Sequence, residues 1–346
     1  MSELSIAAYA REIRPALRSD AFTPARSRLW WLPLHLAVIS VGTVVLAKHW
    51  VSWAFAPLLS ILLGASFAGL TFLGHETLHG AVVRGKLLRK LVGWFGFLAF
   101  VISPRLWVAW HNRVHHGHTN RADIDPDAYP TLAAYDQSRA VRFATSLSPG
   151  LRRVRGVFSL LFGFSIQSTH MLLVARHRGY LSPREHALAI AETALGICVW
   201  GGVAYVVGPL AFLFAYALPL LVANLCVMSF ILTNHSLSPL TSVNDPLANS
   251  LSVTLPAWLE WPTLGFGYHV EHHLFPAMSA RSARSVRDVL RARWPARYQS
   301  MPLHAALLAL HRSPRVYKDP KTLVDPGSFK EWPALGRRAS IAPKSA

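Results

Sequence analysis

The chain has 346 residues, of which 52% are hydrophobic and only 15% charged, against about a quarter charged in an ordinary soluble domain. Such a composition excludes a water-soluble fold of the usual kind. The formal net charge of +18 sits beside apolar runs, which points to anionic lipid head groups and not to nucleic acid.

Residues 1–28 carry Arg11, Arg14, Arg18 and Arg26 but lack the short apolar core and small-residue cleavage site of a secretory signal, so a basic cytoplasmic segment is expected there. Residues 29–280 read as one membrane domain. Four stretches, 29–47, 51–73, 187–207 and 209–233, approach the roughly 20 apolar residues that a helix needs to cross hydrocarbon. Within each pair the connection is very short, residues 48–50 and Gly208, so the expected fold is all-α, with four transmembrane helices in two antiparallel hairpins.

Charge bias orients the hairpins. Arg26 and Arg28 precede the first span, Arg84, Lys86, Arg89 and Lys90 follow the second, and Arg176, Arg178 and Arg184 precede the third, whereas the two short turns hold one lysine. Positive residues are retained in the cytoplasm, which puts the N-terminus, residues 74–186 and the C-terminal third on that side. Residues 91–102 are short for a span, and residues 157–174 are interrupted by Gln167, Thr169 and His170, so both read as interfacial or re-entrant helices. Residues 281–346 form a basic cytoplasmic segment, first semi-amphipathic surface helices, then a loosely ordered Pro-, Ser- and Lys-rich tail from Ser313. Cys198 and Cys226 lie inside apolar segments and read as packing residues, not as a disulfide or a thiolate zinc site.

Ten of the 17 histidines fall in four short places: His75 and His79; His111, His115, His116 and His118; His235; and His269, His272 and His273. All four places lie on the face that charge counting makes cytoplasmic. His75 and His79 are four apart, which puts both rings on one side of a helix. His111 and His115 repeat that spacing, and the adjacent His116 points elsewhere, so the pair 115–116 can reach two different ions. His269, His272 and His273 combine a three-residue step with an adjacent ring. With His235 there are nine candidate imidazoles, more than one four-coordinate ion needs and enough for two. Imidazole suits iron, zinc, copper and nickel alike, so the ligands alone do not name the metal.

These boxes resemble those of the membrane fatty acid desaturase superfamily, whose forms are His-x3-His, His-x2 or 3-His-His and His-x2-His-His; the likeness covers roughly residues 30 to 280. Residues 115–120, followed by Asp123, Asp125, Pro126 and Asp127, look like the continuation of the second box, and residues 268–276 look like the third. The resemblance implies two iron ions, held by His75, His79, His111, His115, His116, His269, His272 and His273 with His235 as the additional ligand, and Asn234 approaching the metal through water. It further implies O2 activation and removal of hydrogens from an acyl lipid or acyl thioester in a multi-pass protein of, we expect, a bacterial cytoplasmic membrane. The second box places Asn112 where a two-residue version has its first histidine, and the third begins with His269 and not glutamine, unlike front-end desaturases. No His-Pro-Gly-Gly haem signature occurs, so the electron donor is expected to be a separate protein such as ferredoxin or cytochrome b5.

Each of these residues also has a plainer reading. A lone His235 at a helix end is a common cap, and His118 is a second-sphere group or a solvated loop residue. Histidines 35, 49, 170, 177, 186, 304 and 311 read as interfacial or surface residues. Glu76 and Glu271 either orient ligand rings or are solvated, and the acidic loop shapes the chain or supports ligands. Trp107, Trp110, Trp258 and Trp261 read as an interfacial belt before an acyl tunnel. Two other functions are weighed: a di-iron hydroxylase or ketolase acting on a carotenoid or other lipid, and a non-enzymatic metal-binding membrane protein. The latter predicts ionisable groups within the spans, where only Glu192, Asn224 and a few end-located groups occur.

Overall fold

A computed structural model describes residues 4–336, and they are mostly helical. Helix α1 (Ile6–Ile13) precedes the long helices α2 (Trp31–Ala47) and α3 (Ala56–Leu78), and α4 (Lys86–Phe97) folds back against α3. After a bend come α5 (Val157–Val174), α6 (Pro183–Val207) and α7 (Leu218–His235), then α8 (His269–Leu274), α9 (Ala283–Arg293) and α10 (Leu303–Arg312).

Local chemistry accounts for the boundaries. Pro57 in the first turn starts α3, five residues later than hydropathy alone suggests, and the chain turns left-handed only at Gly80, so the helix carries His75 beyond its apolar run. Ser182 caps α6 in a reciprocal pair with Glu185, with Pro183 just inside. The last long helix is continuous from Pro209 to His235 except for a widened π turn at Leu213–Ala217. Pro219 lies just beyond it; lacking an N–H and crowding the preceding turn, it disfavours regular α geometry there.

Among the described residues, five helices are long and apolar enough to cross a membrane, Arg26–Ala47, Ala56–Leu78, Val154–Val174, Pro183–Val207 and Pro209–His235. The number becomes six if Lys86–Phe100 and Pro104–His118, bent by 98°, count as one broken span. The expected count of four is therefore not confirmed. The residues that lower the hydropathy of α5 have partners: the Gln167 amide donates to Asp127 Oδ1 at 2.5 Å, and Ser165 exchanges hydrogen bonds with the Asn224 side chain on α7. Polar groups satisfied in this way let an apolar helix run unbroken.

The 98° bend is held from outside. Val101 adopts a left-handed backbone conformation, which β-branched residues rarely do, and Ser103 caps the turn Pro104–Trp107. Glu192 of α6 clamps the bend, accepting from Ser103 Oγ at 2.6 Å and from Arg105 Nε at 2.9 Å, and pairing with Lys90 Nζ at 2.7 Å. The carboxylate inside the third expected span is thus neutralised by its neighbours and does not line an ion path. Close to the first box, α3 and α4 touch through Gly74 and Gly96, where a Cβ on Gly96 would lie 2.6 Å from the Gly74 Cα.

The termini also depart from expectation. Tyr9 and Ile13 of α1 are fully buried against Val270, Leu274, Val286 and Leu290, so the basic N-terminal segment is docked. Short strands β1 (Ser252–Thr254) and β2 (Ser300–Pro302) pair in parallel, and β3 (Tyr317–Asp319), β4 (Thr322–Val324) and β5 (Glu331–Pro333) form an antiparallel sheet. The expected loose tail is accordingly ordered from Ser313 to Gly336, where buried Arg315 and Tyr317 bond to the carbonyls of Ser236 and Ser238. Residues 337–346 lie outside the described residues.

Candidate metal centre

The C-terminal end of α3 presents His75 and His79, the end of α7 presents His235, and α8 presents His269, His272 and His273. The second box lies on a π turn, Val108–His115, in which the His116 N–H bonds back five residues to the His111 carbonyl. Residues five apart therefore share a side. The α-helical spacing expected from the sequence pairs His111 with His115; the π geometry instead pairs His111 with His116, their Nε2 atoms 3.2 Å apart.

Two all-imidazole donor groups result, and a third, mixed set of His111, His115 and Asp127 overlaps both. His75, His79, His111, His116 and His272 bring their ring nitrogens within 4.8 Å of one another, as do His115, His235 and His273. His269 joins the second group, its Nε2 lying 2.6 Å from His235 Nε2 and 3.1 Å from His273 Nε2. In the first group a chain of Nε2 contacts runs His75–His111 at 3.1 Å, His111–His116 at 3.2 Å and His116–His272 at 3.1 Å. Adjacent rings in the second box serve different groups, as their opposed directions allow.

The outer nitrogens show which atoms are left for a ligand. His115 Nδ1 lies 3.0 Å from Asp125 Oδ1 and 3.1 Å from Oδ2, and His235 Nδ1–H points to the Asn249 carbonyl at 3.3 Å. Thr119 Oγ1 stands 3.3 Å from His273 Nδ1. Each contact fixes a tautomer whose Nε2 carries a lone pair toward the centre. Burial, with the neighbouring rings, holds the His269 and His273 imidazoles well below their ordinary range, and burial followed by the nearby His115 pushes His272 down to about 3. Rings held neutral by burial, with converging lone pairs, are a donor set without an acceptor; His115 differs, since Asp125 and Asp127 beside its Nδ1 favour its charged form, and His79 Nε2 is buried with no hydrogen-bond partner. A pair of cations suits this arrangement, and an all-imidazole inner set suits iron, zinc, copper or nickel.

Other expected roles change. Neither Glu76 nor Glu271 touches a histidine nitrogen. Glu76 pairs with Arg28 at 2.5 Å and accepts from the Ala280 N–H, tying the first box to the loop after the third. Glu271 is fully buried, accepting from Ser252 Oγ and Tyr298 OH, both at 2.6 Å. Trp107 and Trp110 are buried beside the histidines and do not form a belt, whereas Trp258 and Trp261 are 73% and 69% exposed. His35 is buried, stacked on Trp31 against Gly69. Asn234 is buried beside His235 with neither side-chain Nδ2 nor Oδ1 hydrogen-bonded, and the half-buried His118 belongs to neither donor group. The acidic loop does support a ligand: Asp125 also accepts from the Asn120 and Asp127 N–H groups.

Sequence reading missed Asn120, Asn249, Ser252, Tyr298 and Arg28. Asn120 Nδ2 bridges the carbonyls of His235, Pro239 and Asn249, and Ser252 Oγ accepts from the backbone N–H of His269 and Val270. Asn120 alone had a signal, its place directly after the second box.

The chain is mostly helical, several of its helices are long and apolar enough to cross a membrane, and nine of its imidazoles converge where metal ions could be held. The family model for fatty acid desaturase matches residues 48–304, and the chain belongs to that family. It is similar to an sn-1 acyl-lipid omega-3 desaturase (ferredoxin) of Synechocystis sp., 31% identical over 35% of this chain and 33% of that one. It is also similar to a Delta(9) fatty acid conjugase-like enzyme of Dimorphotheca sinuata, 24% identical over 68% of each chain. An acyl-lipid (9-3)-desaturase of Borago officinalis is 24% identical over 65% of this chain and 55% of its own. The chain thus spans 33% of the first relative's length.

Proposed function

We propose that the protein is an acyl-chain desaturase that uses O2 and two iron ions to place a carbon–carbon double bond in an acyl lipid or acyl thioester. The observation that carries this reading is the convergence of nine imidazoles, six of them buried, in two groups beside apolar cavities. His75, His79, His111, His116 and His272 would hold one ion, and His115, His235, His269 and His273 the other. When bound, the iron pair supplies the O2-dependent oxidation of an unactivated alkyl chain.

The protein's own contribution is placement and exclusion of water. Asp125, Asn249 and Thr119 fix the tautomers of His115, His235 and His273, so the ligand nitrogens are presented without reorganisation. Phe72, Trp107, Trp110 and Phe266 surround the histidines with apolar surface, which keeps the chain in and bulk water out. Two hydrogens leave adjacent carbons, and two further electrons from a separate carrier, with two protons from water, complete the reduction of O2 to two waters. The name of the Synechocystis relative supports a ferredoxin-like carrier, with cytochrome b5 the other class. The charge bias supports a histidine centre on the cytoplasmic side of a multi-pass protein, in a bacterial membrane.

Expression in a lipid-defined host with fatty acid profiling tests the reading. The wild type is expected to yield chains two mass units lighter, and a His272→Ala, His273→Ala double variant none. Oxygenated products favour the hydroxylase or ketolase reading, and identical lipids from both proteins rule out desaturation.

A further inference from the structure

Two cavities flank the histidine centre, and they share part of their lining. The first lies among Leu264, Tyr268, Met278 and Ala280, next to His272. The second lies among Phe97, Trp110, Phe164 and Ile231, next to His111, His115 and His235. Phe72, His75, Phe266 and His269 line both. The Phe266 ring sits 4.7 Å from Phe72 and 4.9 Å from His75, with His269 at 6.1 Å. His75 belongs to one donor group and His269 contacts the other, so the ring stands where the cavities and the two groups of histidines adjoin.

The first cavity is tied to the membrane surface. Arg28, just before α2, donates to the Leu264 carbonyl at 2.9 Å, and Trp31 packs on the exposed Trp261 at 4.5 Å. Exposed indoles of this kind sit at the level of lipid head groups. The second cavity runs inward among aromatic rings, with Phe164 of α5 in its wall. Ring contacts with Phe72 and Phe230 and packing against the apolar core hold Phe266 over the gap, and a methylene chain laid there regains the buried apolar area the ring gives up.

We propose that Phe266 is the gate of one acyl-chain channel formed by both cavities. The chain enters from the lipid interface through the first cavity, displaces the ring, and rests with its methyl end in the second, so Phe266 and the depth beyond it decide which carbons face the metals. The proposal rests on the desaturase reading for its chemistry but not for its geometry.

The test uses the full-length, metal-loaded protein in lipid nanodiscs, with a phospholipid carrying a photoreactive diazirine at the methyl end of one acyl chain. Mass spectrometry after irradiation is expected to find adducts on the second cavity, at Phe164, Val227 or Ile231. In Phe266→Trp those adducts should fall by about tenfold or more, the scale on which filling one methylene-sized space acts, while bound metal stays at the wild-type level. Phe266→Ala, a second variant should the larger ring disturb folding, should raise labelling and spread the double bond over more than one position. Wild-type adducts confined to the outer surface, or labelling indifferent to both substitutions, would overturn the gate. Labelling of the second cavity with no unsaturated product keeps the channel and sinks the desaturase reading; product without such labelling does the reverse.

Discussion

Asp125 shows how much a site depends on residues that never meet the metal. Its carboxylate is fully enclosed, bonded to His115 Nδ1 and to two backbone N–H groups, and His115 is the second box's contribution to the second donor group. Asp125→Ala should leave His115 free to rotate and change tautomer, lowering affinity at that group by about 10–100-fold. Competitive chelation followed by elemental analysis reads this directly, and unchanged retention of both ions would show that His115 is oriented by packing alone. The types and spacings of the histidines were legible in the sequence because ligands must be imidazoles at helical intervals. Glu76 and Glu271 were misjudged for a physical reason: a carboxylate beside a histidine in sequence has many competing partners in space, here Arg28, Ser252 and Tyr298.

Among the elements, the π turn of the second box matters most. Three residues separate His111 from His115, and a regular α-helix would put those two on one face; the wider turn returns His111 to His116. One residue too many for an α turn is thereby absorbed without moving either group. Deleting exposed Arg113 should restore an α turn in which the first histidine again shares a side with the last, four residues on, so bound metal should remain at two ions per chain. Inserting one alanine after Arg113 should instead rotate the last two rings away and remove metal. Loss of both ions in the deletion variant would show that the turn does more than absorb a residue. Hydropathy located the long helices; Val157–Val174, expected to be interfacial or re-entrant, also has the length and composition of a span, and its Gln167 amide is satisfied by Asp127.

In the whole molecule, the ends of the chain brace the third box. Asp245 accepts from the Leu4 N–H and Tyr9 OH and pairs with Arg297, joining α1 to the segment after α9 over buried Val270 and Leu274. The Asp245 side chain is fully buried and Arg297 nearly so. Asp245→Ala leaves that guanidinium without its carboxylate, at a cost of about 3–5 kcal/mol, as for other buried pairs broken on one side. Thermal unfolding in detergent and limited proteolysis at Arg11 and Arg14 should register the change, with cleavage appearing first in α1. A variant as stable and as protease-resistant as the wild type would mean that the apolar contacts of Tyr9 and Ile13 hold α1 unaided.

The sequence by itself determined that the chain belongs in a membrane and that its chemistry lies in clustered histidines, because apolar length and ligand spacing are local properties of consecutive residues. Only the tertiary structure decided how nine rings divide between two donor groups, which carboxylates support them and which aromatic ring stands between the cavities. Those outcomes depend on contacts between residues far apart in the chain, such as Glu76 with Ala280 and Arg28 with Leu264, and on a π turn that histidine spacing alone does not announce.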